Sequence, residues 1–339
     1  MRRPSFTQFG LRHLALLILL VASVLAWVAA LRQQAAREAQ ALRVVKRMGG
    51  IYDAAPTPAW KDFLAGGPVH PQLSVRLCEL GAYEQWGPYG PGGSLVRLHA
   101  WEAAHFDELG QALQHLPGMT SLSFEGSRLG GHAQELIPDS MRLEYLCLER
   151  TGIRPREFAV LRRVPNLQRL SLRRTGTNDA ALGYVEELHQ LQFLDLSSTD
   201  ITDAGLPHVS RLEHLTLLRL ENTRVGDDGL RSLQHLRGLD ELDLGLTSVT
   251  ADSLDLLARM QVSRRLVVPH AWDERDVARL QASLPATCEV SRSPYPLSTR
   301  TKARPPGLGG DWHHRFSHLL RLAIERRQKV NCLLESERL

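Results

Sequence analysis

The chain has 339 residues, 43% hydrophobic and 23% charged, with a formal net charge of +4. Residues 1–47 carry eight Lys/Arg against one Glu and residues 292–339 carry ten against four acids, so the ends hold +7 and +6 and the body between them −9. An acidic body between basic ends excludes a protein that binds nucleic acid over its whole surface, and Cys78, Cys147, Cys288 and Cys332, without a C-x-x-C pair, exclude a disulfide framework or a zinc module.

After a basic amino terminus at 1–13, residues 14–31 (LALLILLVASVLAWVAAL) contain neither charge nor proline. Eighteen helical residues at ~1.5 Å each span about 27 Å, close to a bilayer's hydrocarbon core, and predict a transmembrane helix. The rival is a cleaved signal peptide, for which Val28-Ala29-Ala30 offers a small-residue exit. Arg2, Arg3 and Arg12 before the span face Arg32, Arg37, Arg43, Lys46 and Arg47 after it, so charge alone leaves the orientation open. In residues 32–50, Ala35, Ala39, Leu42, Val45 and Met48 recur at helical spacing and Gly49-Gly50 follows as a C-cap would, which predicts a stalk helix. Residues 51–94 read as a cap or linker. Their glycine-rich stretch at 87–93 contains prolines that remove the donors a phosphate cradle needs.

From residue 95 to 290 one register dominates. Leu143, Leu167, Leu191, Leu215 and Leu239 each open a Leu-x-x-Leu-x-Leu signature, with threonine eight residues on at Thr151, Thr175, Thr199, Thr223 and Thr247. A strict 24-residue period predicts one supersecondary unit stacked on copies of itself. Counting the opening leucine as offset 0, apolar residues stand at 0, 3, 5, 10, 15, 18 and 21: a short strand, a turn, then one face of a helix. Leu95, Leu98 and Ala100, then Met119, Leu122, Phe124 and Ser127, extend the register backward; Leu266, Val268 and a closing strand at 285–290 extend it forward.

Asn178-Asp179, Thr202-Asp203 and Asp227 stand where each helix begins, as caps and first-turn acids. The offset-8 threonine is placed to bond backbone groups of the neighbouring coil. Pro155 at offset 12 and the irregular stretch 130–141 depart from the pattern, and helix formation is not expected there.

LQFLDLSSTDITDAGL and LTLLRLENTRVGDDGL resemble leucine-rich repeats of the Thr-Asp-x-Gly-Leu type carried by bacterial, membrane-anchored proteins, related to the repeats of F-box substrate receptors; KRMGGIYDAAPTPAW at 46–60 is similar to the segment joining stalk to repeats in that group. Residues 32–94 lack the Leu-Pro opening of an F-box. The resemblance implies an α/β leucine-rich repeat solenoid, a curved parallel sheet with outer helices, behind an amino-terminal transmembrane helix. It also implies an exported body on the extracytoplasmic side of the membrane.

Offsets 2, 4 and 6 point away from the core onto the concave sheet face. There Tyr145, Arg169, Phe193 and Leu217 form one column, accompanied by Ser171, Arg173, Asp195, Arg219, Glu241 and Asp243. Aromatic and arginine side chains in a column are the usual centre of a protein interface, so these ten are the candidate partner-binding residues, with Phe193 and Arg169 expected to matter for capture and not for thermal stability. No nucleophile elbow, phosphate loop or His-Glu-x-x-His is present, and catalysis, a cofactor and a metal are not expected. The expected function is a non-catalytic scaffold for a protein or peptide, held to the membrane by the amino-terminal helix. Nucleic acid is excluded as partner and a small molecule is disfavoured. The alternative is a soluble or secreted substrate-recognition arm of a hydrolytic or ubiquitin-like system. Residues 291–310, rich in Pro, Ser, Arg and Gly, predict a disordered linker, and 311–339 a basic amphipathic tail.

Overall fold

The computed structural model describes residues 11–48, 51–54, 73–76 and 103–295, except 117, 128, 130, 138, 140 and 141. The repeat register at Leu95, the loop at 87–93, and the tail from residue 296 with its linker lie outside the described residues.

The fold follows from the leucine register. Leu143, Leu167, Leu191, Leu215 and Leu239 are buried, as are the offset-3 and offset-5 leucines of each unit, Leu194 and Leu196 among them. Such alternation fits only an extended segment with one face inward. Each unit accordingly supplies a three-residue strand: β4 (Tyr145–Cys147), β5 (Arg169–Ser171), β6 (Phe193–Asp195), β7 (Leu217–Arg219) and β8 (Glu241–Asp243). Pairing is parallel and 24 residues apart throughout, so that Tyr145, Arg169, Phe193, Leu217 and Glu241 are direct neighbours. The array continues through β3 (Met119–Ser123) on one side and through β9 (Arg265–Val268) and β10 (Glu289–Arg292) on the other. The closing strand thus sits further along than residues 285–290 and takes in Ser291 and Arg292 of the expected linker. At the amino-terminal end β1 (Ile51–Ala54) pairs antiparallel with β2 (Leu73–Arg76), which runs parallel to β3.

Two devices lock coil to coil and one closes the turn within each coil. The residue at offset 7 adopts a left-handed conformation in successive units, at Arg150, Arg174, Ser198, Asn222 and Leu246. There its N–H reaches the next coil's offset-6 carbonyl, as from Arg174 to Ser197 (3.0 Å) and from Ser198 to Glu221 (2.7 Å), which prolongs the ladder beyond the strand. The offset-8 threonines turn inward and are buried, but each hydroxyl bonds the offset-5 carbonyl of its own coil, as in Thr223 to Leu220 (2.7 Å), and not the neighbouring coil. Closing this local ring satisfies a carbonyl that the sharp turn would leave buried and unpaired.

The third device is the offset-12 aspartate. Asp179 accepts the amide (2.8 Å) and hydroxyl (2.6 Å) of Thr202, and Asp203 accepts the amide of Gly226 (2.6 Å), in each case one coil further on. The next coil leaves room for that carboxylate with glycine at two units, whereas below Asp227 the equivalent residue is Ser253, whose hydroxyl donates to the carboxylate. A Cβ on Gly205 would overlap Asp179, and one on Gly229 would overlap Asp203; where Pro155 replaces the aspartate, Ala181 fits in the coil that follows. The Thr-Asp-x-Gly-Leu string is therefore a statement about two coils at once. Asn178, Thr202 and Thr250 also cap their own helices, accepting from the amides of Ala181, Ala204 and Asp252.

The helical side is built of short segments of three to nine residues. Pro155–Arg163, Asp203–Gly205 and Ala251–Ser253 are 3-10 segments; Asp179–Val185, Leu206–Val209, Asp227–Ser232 and Leu254–Met260 are short α-helices. Apolar residues exactly three apart suit a 3-10 turn, in which i and i+3 eclipse. Pro155 opens such a turn, and Ala133–Leu136 forms a short helix within the irregular stretch, so both departures from the repeat keep helical character.

The amino-terminal helix α1 (Leu11–Arg47) is continuous. Its first half exposes Ile18, Leu19, Leu20, Val24, Leu25 and Trp27. Its second half is no free stalk: Ala41, Leu42, Val44 and Val45, with Met48 just after it, are buried in one core with the first coils, packed against α2 (Ala103–Gln114), and Arg47 pairs with Glu108 at 2.9 Å. The expected stripe holds at Ala35, Leu42, Val45 and Met48 but not at Ala39, which is exposed.

Candidate partner-binding face

The strand side chains at offsets 2, 4 and 6 cover the sheet face opposite the helices. All ten residues singled out in the sequence lie there, within β4 to β8 except Arg173, which follows β5. The register brings them into three parallel columns about 4.8 Å apart from strand to strand.

The offset-2 column does not present an open aromatic anchor. Phe193 is only 6% exposed, because the guanidiniums of Arg169 and Arg219 lie over its ring at 5.7 Å each. Burial in turn holds the Arg169 guanidinium below its ordinary range. Phe193 is thus a packing residue as well as a face residue, which corrects the expectation that its loss would leave stability untouched. What the column offers outward is the edge of Tyr145, the Arg169 guanidinium, Leu217 and Glu241, with Arg219 of the offset-4 column alongside, each partly exposed.

The offset-4 column is a series of turn-closing groups. Asp195 accepts the Ser197 amide and Asp243 the Gly245 amide, both at 2.9 Å, while Ser123 stands in the same relation to Glu125 at 3.5 Å. The second oxygen of Asp195 faces Arg219 at 3.7 Å. Burial pushes the Asp243 carboxyl up to about 6, helped by Glu221 and opposed by the Gly245 amide, Arg219 and Arg265. Ser171 is buried, and burial drives the Cys147 thiol up to about 11, with Glu149 and Glu125 nearby adding to the effect, so that this sulfur stays a thiol and not a nucleophile.

In the offset-6 column Glu149 and Arg173 face each other at 3.8 Å. Burial, outweighing Arg173, raises the Glu149 carboxyl to about 7, with Glu125 and Asp195 adding to the rise. For Arg173 burial is itself outweighed: Glu149, Asp195, Glu221 and Asp243 hold its guanidinium above the ordinary range, although its buried Nε has no hydrogen-bond partner. Glu125, Glu149 and Glu221 were not among the expected site residues. Their shared offset was the available signal: stacking puts Glu125 one strand from Glu149 and Glu149 beside Arg173, with Glu221 two strands beyond that arginine. Among the described residues no three His, Cys, Asp or Glu side chains converge as a metal site.

The face is therefore a broad, mixed-charge wall in which two arginine–carboxylate pairs are largely withdrawn from water. It has the chemistry to hold a surface or an extended chain by complementary charge and apolar contact. The fold is a leucine-rich repeat solenoid. No protein-family model matches the sequence, and no curated protein matches it. Among solved structures, internalin C2 of Listeria monocytogenes str. 4b F2365 is similar at 17% identity over 56% of this chain and 83% of its own, with a TM-score of 0.41. An internalin (inlF) of the same organism is similar at 15% identity over 56% and 63% of the two chains, with a TM-score of 0.40. At that distance the solenoid rests on its own hydrogen-bonded register.

Proposed function

We propose that this chain is a membrane-anchored, non-catalytic scaffold that binds a protein or peptide on the concave face of its repeat array. The observation that carries the reading is the wall itself: Tyr145, Arg169, Arg219, Leu217 and Glu241 at its edge, above the paired Glu149–Arg173 and Asp195–Arg219, stand on a rigid sheet. Nine neighbouring strands at about 4.8 Å extend close to 40 Å, a span suited to a macromolecular partner. Exposed apolar side chains from Ile18 to Trp27 support insertion of the first half of α1 in a bilayer, since an apolar patch of that size is costly in water. The repeat body then stands on the extracytoplasmic side, as in the bacterial membrane-anchored proteins whose repeats the sequence resembles.

Two experiments test the reading. Retention of full-length protein in membranes after an alkaline carbonate wash, with the body degraded by protease added outside intact cells, is the expected result; release into the wash contradicts the anchor. Affinity capture with residues 32–295 should return a protein whose retention drops at least tenfold when Arg169 and Arg219 are both replaced by alanine. Unchanged retention removes the face as the binding surface.

A further inference from the structure

The chain leaves the solenoid onto the very face just described. After β10, Ser293 is only 2% exposed; its N–H donates to the Val268 carbonyl at 2.8 Å, and its own carbonyl lies 3.1 Å from Nδ1 of His270. Its side chain reaches across to β8. A Cβ on Gly245 would stand 3.2 Å from the Ser293 hydroxyl and 3.3 Å from its Cβ, beside the Asp243 carboxylate at 3.1 Å. Gly245 thus leaves a gap in the offset-6 column, and the carboxyl-terminal segment fills it. Tyr295 follows, its amide 3.4 Å from the Ser293 hydroxyl.

Ahead of that point the wall is acidic. From β8 back to β3, offsets 4 and 6 hold Asp243, Glu221, Asp195, Glu149 and Glu125 against Arg219 and Arg173. The chain that comes next is basic: residues 296–306 read PLSTRTKARPP, with Arg300, Lys302 and Arg304 and no acid. Alternate spacing puts all three cations on one side of an extended segment. Eleven extended residues reach up to ~37 Å, whereas β8 to β3 covers about 24 Å. Pro296 and the Pro305-Pro306 pair fix φ at both ends, so the segment costs less entropy to order than a flexible one. A buried carboxyl above its ordinary range, as at Glu149 and Asp243, is also one that a nearby cation would help to ionise.

We propose that residues 296–306 dock in cis along the acidic columns of the sheet face, an internal occupant that an external partner must displace. This inference stands apart from the identity, or the existence, of that partner. Tethering by a few residues gives an effective concentration in the millimolar range, so even a weak charge-assisted contact is populated in cis while remaining displaceable.

The test uses the full chain in detergent. Lys302 is one of four lysines, and residues 62–301 contain none, so zero-length carbodiimide coupling of an amine to a carboxylate maps cleanly. Expected are links from Lys302, seven extended residues or about 22 Å beyond Tyr295, to Glu149 or Glu125, with a yield independent of protein concentration and lost in 1 M salt. In parallel, a fluorescent peptide of residues 296–306 should bind the full chain carrying Arg300→Glu, Lys302→Glu and Arg304→Glu at least fivefold tighter than the unaltered chain at low salt, because the internal competitor is gone. Three results overturn the proposal: no Lys302 link to these carboxylates with equal peptide binding by both chains; links whose yield rises with concentration, which assign the segment to a second copy; or links abolished by phosphatidylserine vesicles, which assign it to the membrane surface.

Discussion

Asp227 accepts both the amide (2.9 Å) and the hydroxyl (2.7 Å) of Thr250, a residue of the following coil. With Asp179–Thr202 and Asp203–Gly226 it forms a column of staples along the helical side, independent of the strand ladder. Burial alone would raise its carboxyl, but the hydroxyls of Ser253 and Thr250 and the Thr250 amide outweigh it and hold the group below the usual carboxylate range.

Replacing Asp227 with alanine should therefore cost about 1 kcal/mol, since water replaces the bonds to the exposed Thr250 and only the buried Ser253 hydroxyl is left without its acceptor. Urea denaturation measures it. Gly229→Ala should cost a comparable amount, since its new Cβ overlaps Asp203. Combining it with Asp203→Ala should cost less than the sum of the two single changes. Simple additivity would mean the staple and the gap do not act together.

Stability should fall as pH rises through the neutral range. Glu149 and Asp243 have folded-state values near 7 and 6, above those of free carboxyls, so between about pH 4.5 and 7 the folded chain holds protons that the unfolded chain releases. The contribution is complete below the unfolded value and is lost as pH passes the folded one, amounting for Glu149 to roughly 3 kcal/mol at most. Glu149→Gln should flatten the difference between denaturation midpoints at pH 5 and pH 8; an unchanged difference would show that Glu149 is not its source.

On the sheet face, Phe193 and Arg169 should behave differently. Phe193→Ala should cost about 3 kcal/mol, because the ring is buried between two guanidiniums. Arg169→Ala should cost under about 1 kcal/mol and act chiefly on capture. Thermal melting beside the capture assay separates the two.

Arg150 is exposed and left-handed, with φ near 58°. Such backbone costs an L-residue roughly 1 kcal/mol, so Arg150→Gly should raise stability by about 0.5 kcal/mol after the extra chain entropy is counted. A clear loss would mean the arginine side chain contributes more than its backbone costs.

Deleting residues 1–31 should leave the solenoid's melting temperature in place, whereas deleting 1–48 should lower it by several degrees and expose apolar surface to a dye such as ANS. Only the second removes Leu42, Val45 and Met48 from the core they share with α2. Equal melting of the two truncations would make the helix end dispensable.

Much of this was legible in the chain alone. A fixed offset of 24 residues with leucine at 0, 3 and 5 specifies which side chains face inward, and the same arithmetic placed Tyr145, Arg169, Phe193 and Leu217 in one column. The sequence was silent where an interaction crosses coils through groups that look local. Asp203 reads as an ordinary first-turn acid until the following Gly229 is seen beneath its carboxylate. Thr223 reads as a donor to its neighbour until the turn directs its hydroxyl to Leu220 of its own coil.

Periodicity by itself determined the architecture and the orientation of each strand side chain, because a repeating hydrophobic pattern admits one way of stacking its units, and the count of charged residues gave the acidic character of the body. Tertiary structure decided how deep each side chain lies and what it meets: that Phe193 is roofed by arginines, that Glu149 is withdrawn from water beside Arg173, that the end of α1 is part of the core, and that Ser293 fills the gap at Gly245. These depend on distances between residues far apart in the chain. No local spacing encodes them, because burial and charge act through space and not along the sequence.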